Sequence, residues 1–362
     1  MASHLTLYVN PAWRRVGIHS PFMNPWWGNP YDGAVSFAKQ MFDTYTFDTS
    51  LYGITDIIEK ADMVLPPYKH QWFLRHDMPL WHECVETAVK AGKPLLVDGA
   101  GDVEFPLNVP NTYVLRIGGY RFIDEPGRII IPTLVDDLLE RCEKGELKIR
   151  QKQSTKNPVV GFAGWAELSL KQKIRTMLKE LPIRLRAIFD HRYKTMTKGI
   201  FWRAKSIHIL QGSSKVILNL KSRQSFSGST KTAHGDLETL RREFVDTILE
   251  SDYGLEVRGD PNASNRLFEV CALGRIPVII DTERNLPWSD VLDYREFCLI
   301  VDYRDINRLA DIVADFHTEV TPERFEKMQR RAREVFVQYY RMDSLMNHII
   351  RVLRTQGAIK GS

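Results

Sequence analysis

Cysteine is scarce in this chain. The four thiols, Cys84, Cys142, Cys271 and Cys298, lie far apart among 362 residues, with no CxxC pair and no His at metal-ligand spacing. That argues against a disulfide framework and a zinc site, and leaves buried thiols as the ordinary reading. Also missing is any run of the ~18 apolar residues that a membrane-crossing helix needs. Met1-Ala2-Ser3-His4-Leu5 lacks the charged head and apolar block of a signal peptide. The expectation is a soluble, cytoplasmic protein, although a chain stripped of an anchor would read the same way. Neither sign of charge dominates, since 50 Lys+Arg against 45 Asp+Glu leave +5. This permits an anionic ligand. Nothing interleaves aromatic and basic residues in an RNA-binding pattern, so nucleic acid is not an expected partner. No internal repeat or low-complexity stretch is visible.

What is present alternates. Nearly all-apolar strand candidates, Leu5-Thr6-Leu7-Tyr8-Val9, 62–65, 94–98 and 113–116, are separated by helical stretches at 33–42, 79–91 and 133–144. Such alternation predicts a parallel sheet covered on both faces. Residues 145–157 are polar and basic and end at Pro158, the best linker candidate in the chain. The alternation then restarts, with strands expected at 159–164, 185–189, 253–257, 276–280 and 297–301. Helices are expected at 168–181, 236–250, 264–273, 304–316, 321–339 and 343–354, and 190–235 reads as basic and irregular. The fold expected is α/β, two Rossmann-like domains facing across a cleft: residues 1–150, residues 157–340, and a terminal helix at 343–356. Clefts of this kind are the usual ligand sites.

The densest chemical signal lies between 252 and 303. The strand at 253–257 delivers Arg258 to its C-terminal end. The turn Gly259-Asp260-Pro261-Asn262-Ala263 follows, and a helix opens near Ser264-Asn265-Arg266. Free N–H groups and the helix dipole favour an anion at such a junction. Arg258 and Arg266 add fixed charge with bidentate geometry. Ser264 caps the helix or binds phosphate, and Glu269 could take the two hydroxyls of a ribose. The alternative is an Arg266–Glu269 pair at i,i+3 with Arg258 bonding a neighbouring loop.

Arg258-Gly259-Asp260, Arg266-Leu267-Phe268-Glu269, Gly274-Arg275-Ile276-Pro277-Val278-Ile279, Leu286-Pro287-Trp288 and Val291-Leu292-Asp293-Tyr294 together resemble the nucleotide-sugar domain of exostosin-family glycosyltransferases. Arg242-Glu243-Phe244 and Ser251-Asp252 fit the same pattern, and Gly161-Phe162-Ala163-Gly164 sits at the family's strand-turn. The resemblance is specific over about 240–305 and only thematic in the first half. It implies a GT-B fold, a nucleoside-diphosphate sugar donor (a uridine one), a glycan or polysaccharide acceptor, inversion at the transferred sugar, and neither cofactor nor obligatory metal. The donor-binding residues it implies are Arg258, Asn262, Ser264, Asn265, Arg266, Glu269, Gly164 and Trp165. Two departures stand out. Trp165 occupies a turn where members often carry Arg. Pro261 stands eight residues before Glu269, where retaining GT-B enzymes have a second Glu, and this agrees with inversion.

An inverting transferase needs a base on the acceptor side. The segment Asp98-Gly99-Ala100-Gly101-Asp102-Val103-Glu104 supplies the candidates Asp102 and Glu104, with His82, His19 and Asp32 behind them. Asp98 and Asp102 could equally organise a turn. Trp13, Phe22, Trp26, Trp27 and Tyr31 form either a sugar-stacking platform or a core plug. Lys194, Lys198, Arg203, Lys205, Lys215, Lys221, Arg223 and Lys231 form either an anion site or a solvated surface. No Asp-x-Asp lies at a strand end, and Asp136-Asp137 falls in a helical stretch, so no metal is expected. The alternative functions are a nucleotide-sugar epimerase of the same shape and a non-catalytic carbohydrate- or polyanion-binding protein. Finally, the apolar face of 343–354, expected to be capped by Asp343, predicts that the terminal helix packs on the first domain.

Overall fold

The computed structural model describes residues 4–33, 36–101, 107–153, 156–165, 169–223 and 236–359. It holds two sheets, each entirely parallel. The first comprises β1 (Leu5–Tyr8), β2 (Tyr52–Thr55), β3 (Met63–Val64), β4 (Leu95–Asp98), β5 (Thr112–Arg116) and β6 (Arg128–Ile130), in the order β2-β1-β3-β4-β5-β6. The second comprises β7 (Val159–Trp165), β8 (Ile217–Arg223), β9 (Tyr253–Glu256), β10 (Ile276–Asp281) and β11 (Leu299–Asp302), in the order β11-β10-β9-β7-β8. Both sheets reverse direction of growth once, between β1 and β3 and between β7 and β9. Ligands of open α/β sheets bind outside the carboxyl ends of the strands at such switch points. This is the two-sheet α/β architecture expected of a GT-B fold.

Several local expectations need correction. Residues 185–189, read as a strand, belong to the helix Leu181–Phe189, because Pro182 sits in its first turn, where its missing N–H costs nothing. The stretch read as irregular holds the helix Gly199–Gln211 and strand β8. Strands β2, Tyr-Gly-Ile-Thr, and β6, Arg-Ile-Ile, are interrupted by glycine or by polar residues and do not register as apolar runs. Asp136-Asp137 lies ahead of its helix: Asp137 caps Leu138–Glu143 by accepting from the Glu140 N–H. Asp343 is no cap either. It sits in the first turn of Met342–Thr355, where it pairs with Arg341 at 2.9 Å.

The stretch joining the two sheets is tied down. Arg150 exchanges backbone bonds with the buried Gln329 side chain at 2.9 Å each way and pairs with Asp252 at 2.6 Å. A large core cluster holds Leu5, Leu7, Val97 and Leu115 of the first sheet and also Leu267, Phe268 and Cys271 of the helix Asn265–Ala272. Leu345, Met346, Ile349 and Leu353 of the terminal helix belong to it too. That helix makes its polar and ring contacts with Asp290, Trp288 and Gln338, beside the second sheet. Just ahead of it, Arg333 and Arg341 reach the fully buried Asp137 at 2.6 and 3.6 Å. A separate cluster fills the space under the second sheet.

Candidate functional site

The switch point of the second sheet collects the arginines. β7 ends at Gly164-Trp165. Gly164 has φ of 146°, and a Cβ there would stand 2.7 Å from the Arg266 guanidinium, so glycine is required on both counts. Arg266, in the first turn of the helix Asn265–Ala272, donates to the Ala163 carbonyl at 2.7 Å and lies 4.2 Å over the Phe162 ring. From the helix Gly199–Gln211, Arg203 donates to the Trp165 carbonyl at 2.8 Å and the Arg258 carbonyl at 3.3 Å, and approaches the same ring at 5.9 Å. Gly199 lets that helix come so close, because a Cβ would meet the Gly259 and Arg258 carbonyls at 2.2 and 2.4 Å.

Arg258 is fully buried behind them. It donates to the carbonyls of Thr195 (2.5 Å), Thr197 and Asp260 (3.0 Å), and so organises the turn instead of presenting its charge to solvent. None of Arg203, Arg258 and Arg266 has a carboxylate within ion-pair distance among the described residues. Burial holds all three guanidinium groups below their ordinary range, and for Arg203 the Arg266 charge adds to it. An anion beside Arg203 and Arg266 would favour their charged forms, whereas a neutral ligand would not.

The other expected donor residues divide. Ser264 caps its helix by accepting from the Arg266 N–H at 3.3 Å, and Asn265 is exposed in the first turn. Glu269 is half-buried on the same helix, its carboxyl pushed up by burial and pulled back by Arg266 and Arg241. Trp165 is half-buried, and its carbonyl is taken by Arg203. Asn262 is a clamp. It donates to the Gly119 and Thr282 carbonyls at 3.2 and 3.1 Å and accepts from the Thr282 hydroxyl at 2.7 Å, joining the two halves of the chain. Around it Arg121 reaches Asp281 at 2.8 Å and Glu283 at 3.1 Å, and Gly119 accepts from the Asn285 N–H.

On the acceptor side, Asp102 and Glu104 lie outside the described residues. Asp98 is buried, bonds the Ala100 N–H as a turn former, and accepts from Ser20 Oγ at 2.6 Å. His19 is buried against the Trp27 edge, and burial lowers its pKa. His82 and Asp32 are exposed. Trp13 and Phe22 are core residues, Trp13 donating to Glu83 at 2.8 Å. Trp26, Trp27 and Tyr31 remain half-buried, with Arg14 over the Trp27 ring at 5.2 Å. Of the basic segment, Lys198 and Lys215 are paired with Asp260 and Asp311, and Arg223 with Glu243. Lys231 lies outside the described residues. Sequence reasoning placed Arg203 only in that diffuse basic group. Its position on a helix running back over β7 was the missing information. A depression of about 670 Å³ lies elsewhere, between Arg121, Asp281, Leu286 and residues 289–295, and touches none of the three arginines.

Residues 188–316 match the model of the Exostosin GT47 domain, a span that contains Arg203, Arg258, Arg266 and Glu269. A protein of Arabidopsis thaliana named "Probable glycosyltransferase" is 33% identical over 92 residues, 25% of this chain and 17% of its own length. An exostosin-1 homolog of Caenorhabditis elegans is 25% identical over 114 residues, 31% of this chain and 29% of its own length. The match thus spans under a third of each curated relative. Among solved structures, Anabaena HepE in complex with UDP and glucose aligns over 97% of this chain and 99% of its own, with a TM-score of 0.38 and 11% identity. A glycosyltransferase from Rickettsia africae aligns over 84% and 78%, with a TM-score of 0.38 and 12% identity. Of the switch point, Arg203, Arg258 and Arg266 fall within the span similar to the Exostosin GT47 domain, whereas the β7 turn at Gly164-Trp165 lies ahead of it.

Proposed function

We propose that this protein is a glycosyltransferase that moves a sugar from a nucleoside-diphosphate donor to a glycan acceptor, with inversion and without a metal. The observation that carries the reading is the convergence of Arg203, Arg258 and Arg266, none of them in an ion pair among the described residues, at the C-terminal ends of β7 and β9. When the bond between the sugar and the diphosphate breaks, negative charge develops on the departing phosphate. Prearranged cations and a helix N-terminus stabilise that charge without reorganising. Arg203 and Arg266 are the charges placed to meet it, and Arg258 ties the turn ahead of Arg266 to the Thr195 and Thr197 carbonyls ahead of the helix that carries Arg203. Glu269 takes the ribose hydroxyls in this reading. The uridine base and inversion come from the exostosin resemblance, and the missing Glu at position 261 agrees with inversion. Asp102 or Glu104 takes the acceptor proton.

The experiment is a thermal-shift screen of nucleoside diphosphates and their sugars, followed by turnover with the stabilising donor. A ligand at 100 times its dissociation constant should stabilise by about 2.7 kcal/mol. Transfer should persist in EDTA, because arginine charge does the work that a divalent ion does elsewhere. Donor turnover without any acceptor would indicate an epimerase, and no stabilisation by any nucleoside diphosphate would return the protein to the binding class.

A further inference from the structure

We propose that the helices Leu170–Lys179 and Leu181–Phe189 dock this protein on an anionic lipid surface. Neither helix contains a single buried residue. Yet Leu170, Ile174, Leu178, Leu181, Leu185 and Ile188 all stand exposed, Leu170 at 75% and Ile188 at 74%, and Phe189 ends the row at 93%. Their spacing of three and four residues places Leu170, Ile174 and Leu178 on one face of the first helix and Leu181, Leu185 and Ile188 on one face of the second. Glu180, the residue between the helices, keeps a helical conformation, and the backbone bonds Glu180 to Thr176 and Arg184 to Glu180 carry the turn through.

The charges decide what covers this face. Lys171, Lys173, Arg175, Lys179, Arg184 and Arg186 are all basic. The one carboxylate, Glu180, is 6% exposed and held by Arg184 and the Lys198 N–H. Beyond the second helix, Asp190 is neutralised by Arg192 at 2.7 Å. An apolar stripe whose rim carries an excess of unpaired cations, Lys171, Lys173, Arg175 and Lys179 among them, is what an interfacial helix presents to acidic headgroups. A second copy of this chain would bring the same cations against these six. The inference is independent of the glycosyltransferase reading.

The test is sedimentation of the full chain with phosphatidylcholine vesicles, with and without phosphatidylglycerol, at low and high salt. Binding is expected only with the anionic vesicles and should weaken with salt. Replacing Lys171, Lys173 and Arg175 by Gln should weaken it on the order of 100-fold at low salt. I188S/F189S should abolish it while leaving the melting temperature unchanged, because both side chains are already in water. Arg266→Ala should leave vesicle binding intact, which separates this surface from the donor site. Failure to sediment with anionic vesicles overturns the proposal, as does sedimentation indifferent to both sets of substitutions. Light scattering that shows a dimer dissociated by F189S, with no vesicle binding, would assign the face to a second copy and overturn it equally.

Discussion

At the seam Arg121, Arg284 and Arg333 each face a carboxylate, Arg284 meeting Glu256 at the last residue of β9, whereas just beyond that strand end Arg203, Arg258 and Arg266 face carbonyls and a ring. Arg284 donates to Glu256 at 3.0 Å with both partners essentially inaccessible, and Arg333 holds Asp137. Charge at the seam is closed within the protein and can only serve structure. Charge on Arg203 and Arg266 is only partly balanced, by Glu256 and Glu269 acting without an ion-pair contact. Carbonyl bonding alone does not make a site: Arg275, at the opposite end of β10, bonds the Leu249 and Lys148 carbonyls and packs the linker. What distinguishes the switch point is that several such arginines converge where a parallel sheet receives ligands.

The sharpest way to break this comparison is to open a seam pair. Glu256→Ala leaves Arg284 charged, buried and alone, and should lower unfolding free energy by about 3–5 kcal/mol. A denaturant melt that moves by much less would mean that water reaches the seam.

A second handle on the first half is His70, which is buried and held at about 4, by burial first and the Arg116 charge second. Its native pKa lies below the unfolded value of 6.5, so stability is undiminished above pH 6.5 and falls as pH drops from 6.5 toward 4. The loss should approach about 3 kcal/mol. His70→Gln should flatten melting temperature against pH over that window, and an unchanged slope would assign the dependence to other groups.

At the switch point the effect should fall more on ligand than on fold. Arg266→Ala should cost about 1.5–3 kcal/mol of donor binding by calorimetry, with a smaller loss of stability as the Ala163 carbonyl and Glu269 lose its charge. Arg258→Ala should lose stability first, because the Thr195 and Thr197 carbonyls it holds are left buried. If Arg266→Ala and Arg203→Ala both leave donor affinity unchanged, the two classes of arginine do not differ in function. The smallest effect belongs to Arg121→Ala. Its guanidinium is 44% exposed, and the pair with Asp281 and Glu283 should contribute no more than about 1 kcal/mol in a thermal melt.

Much of this was legible along the chain. Apolar runs bounded by Pro and Gly marked β1, β4, β5, β7, β9 and β10, and the Arg258–Glu269 stretch marked the strand-turn-helix that carries the site. The stretch 185–189 misled because five mostly apolar residues fit a strand or a helix equally well. β8 was missed for a related reason: its Leu-Asn-Leu-Lys-Ser-Arg face is polar and half-exposed at the sheet edge, so no apolar run announces it.

The sequence by itself determined the α/β alternation, the capped helix opening at Ser264 and the motifs that make residues 188–316 similar to the Exostosin GT47 domain, because these depend on residues close together in the chain. Tertiary structure alone decided which arginines find carboxylates. Glu256 and Arg284 are 28 residues apart and Asp137 and Arg333 are 196 apart, so only the folded sheets bring them together. It also decided that Arg203 joins Arg266 over Phe162, and that both sheets share one strand order without any visible sequence repeat. Burial and Coulomb energy are set by three-dimensional distance, and on that distance local pattern is silent.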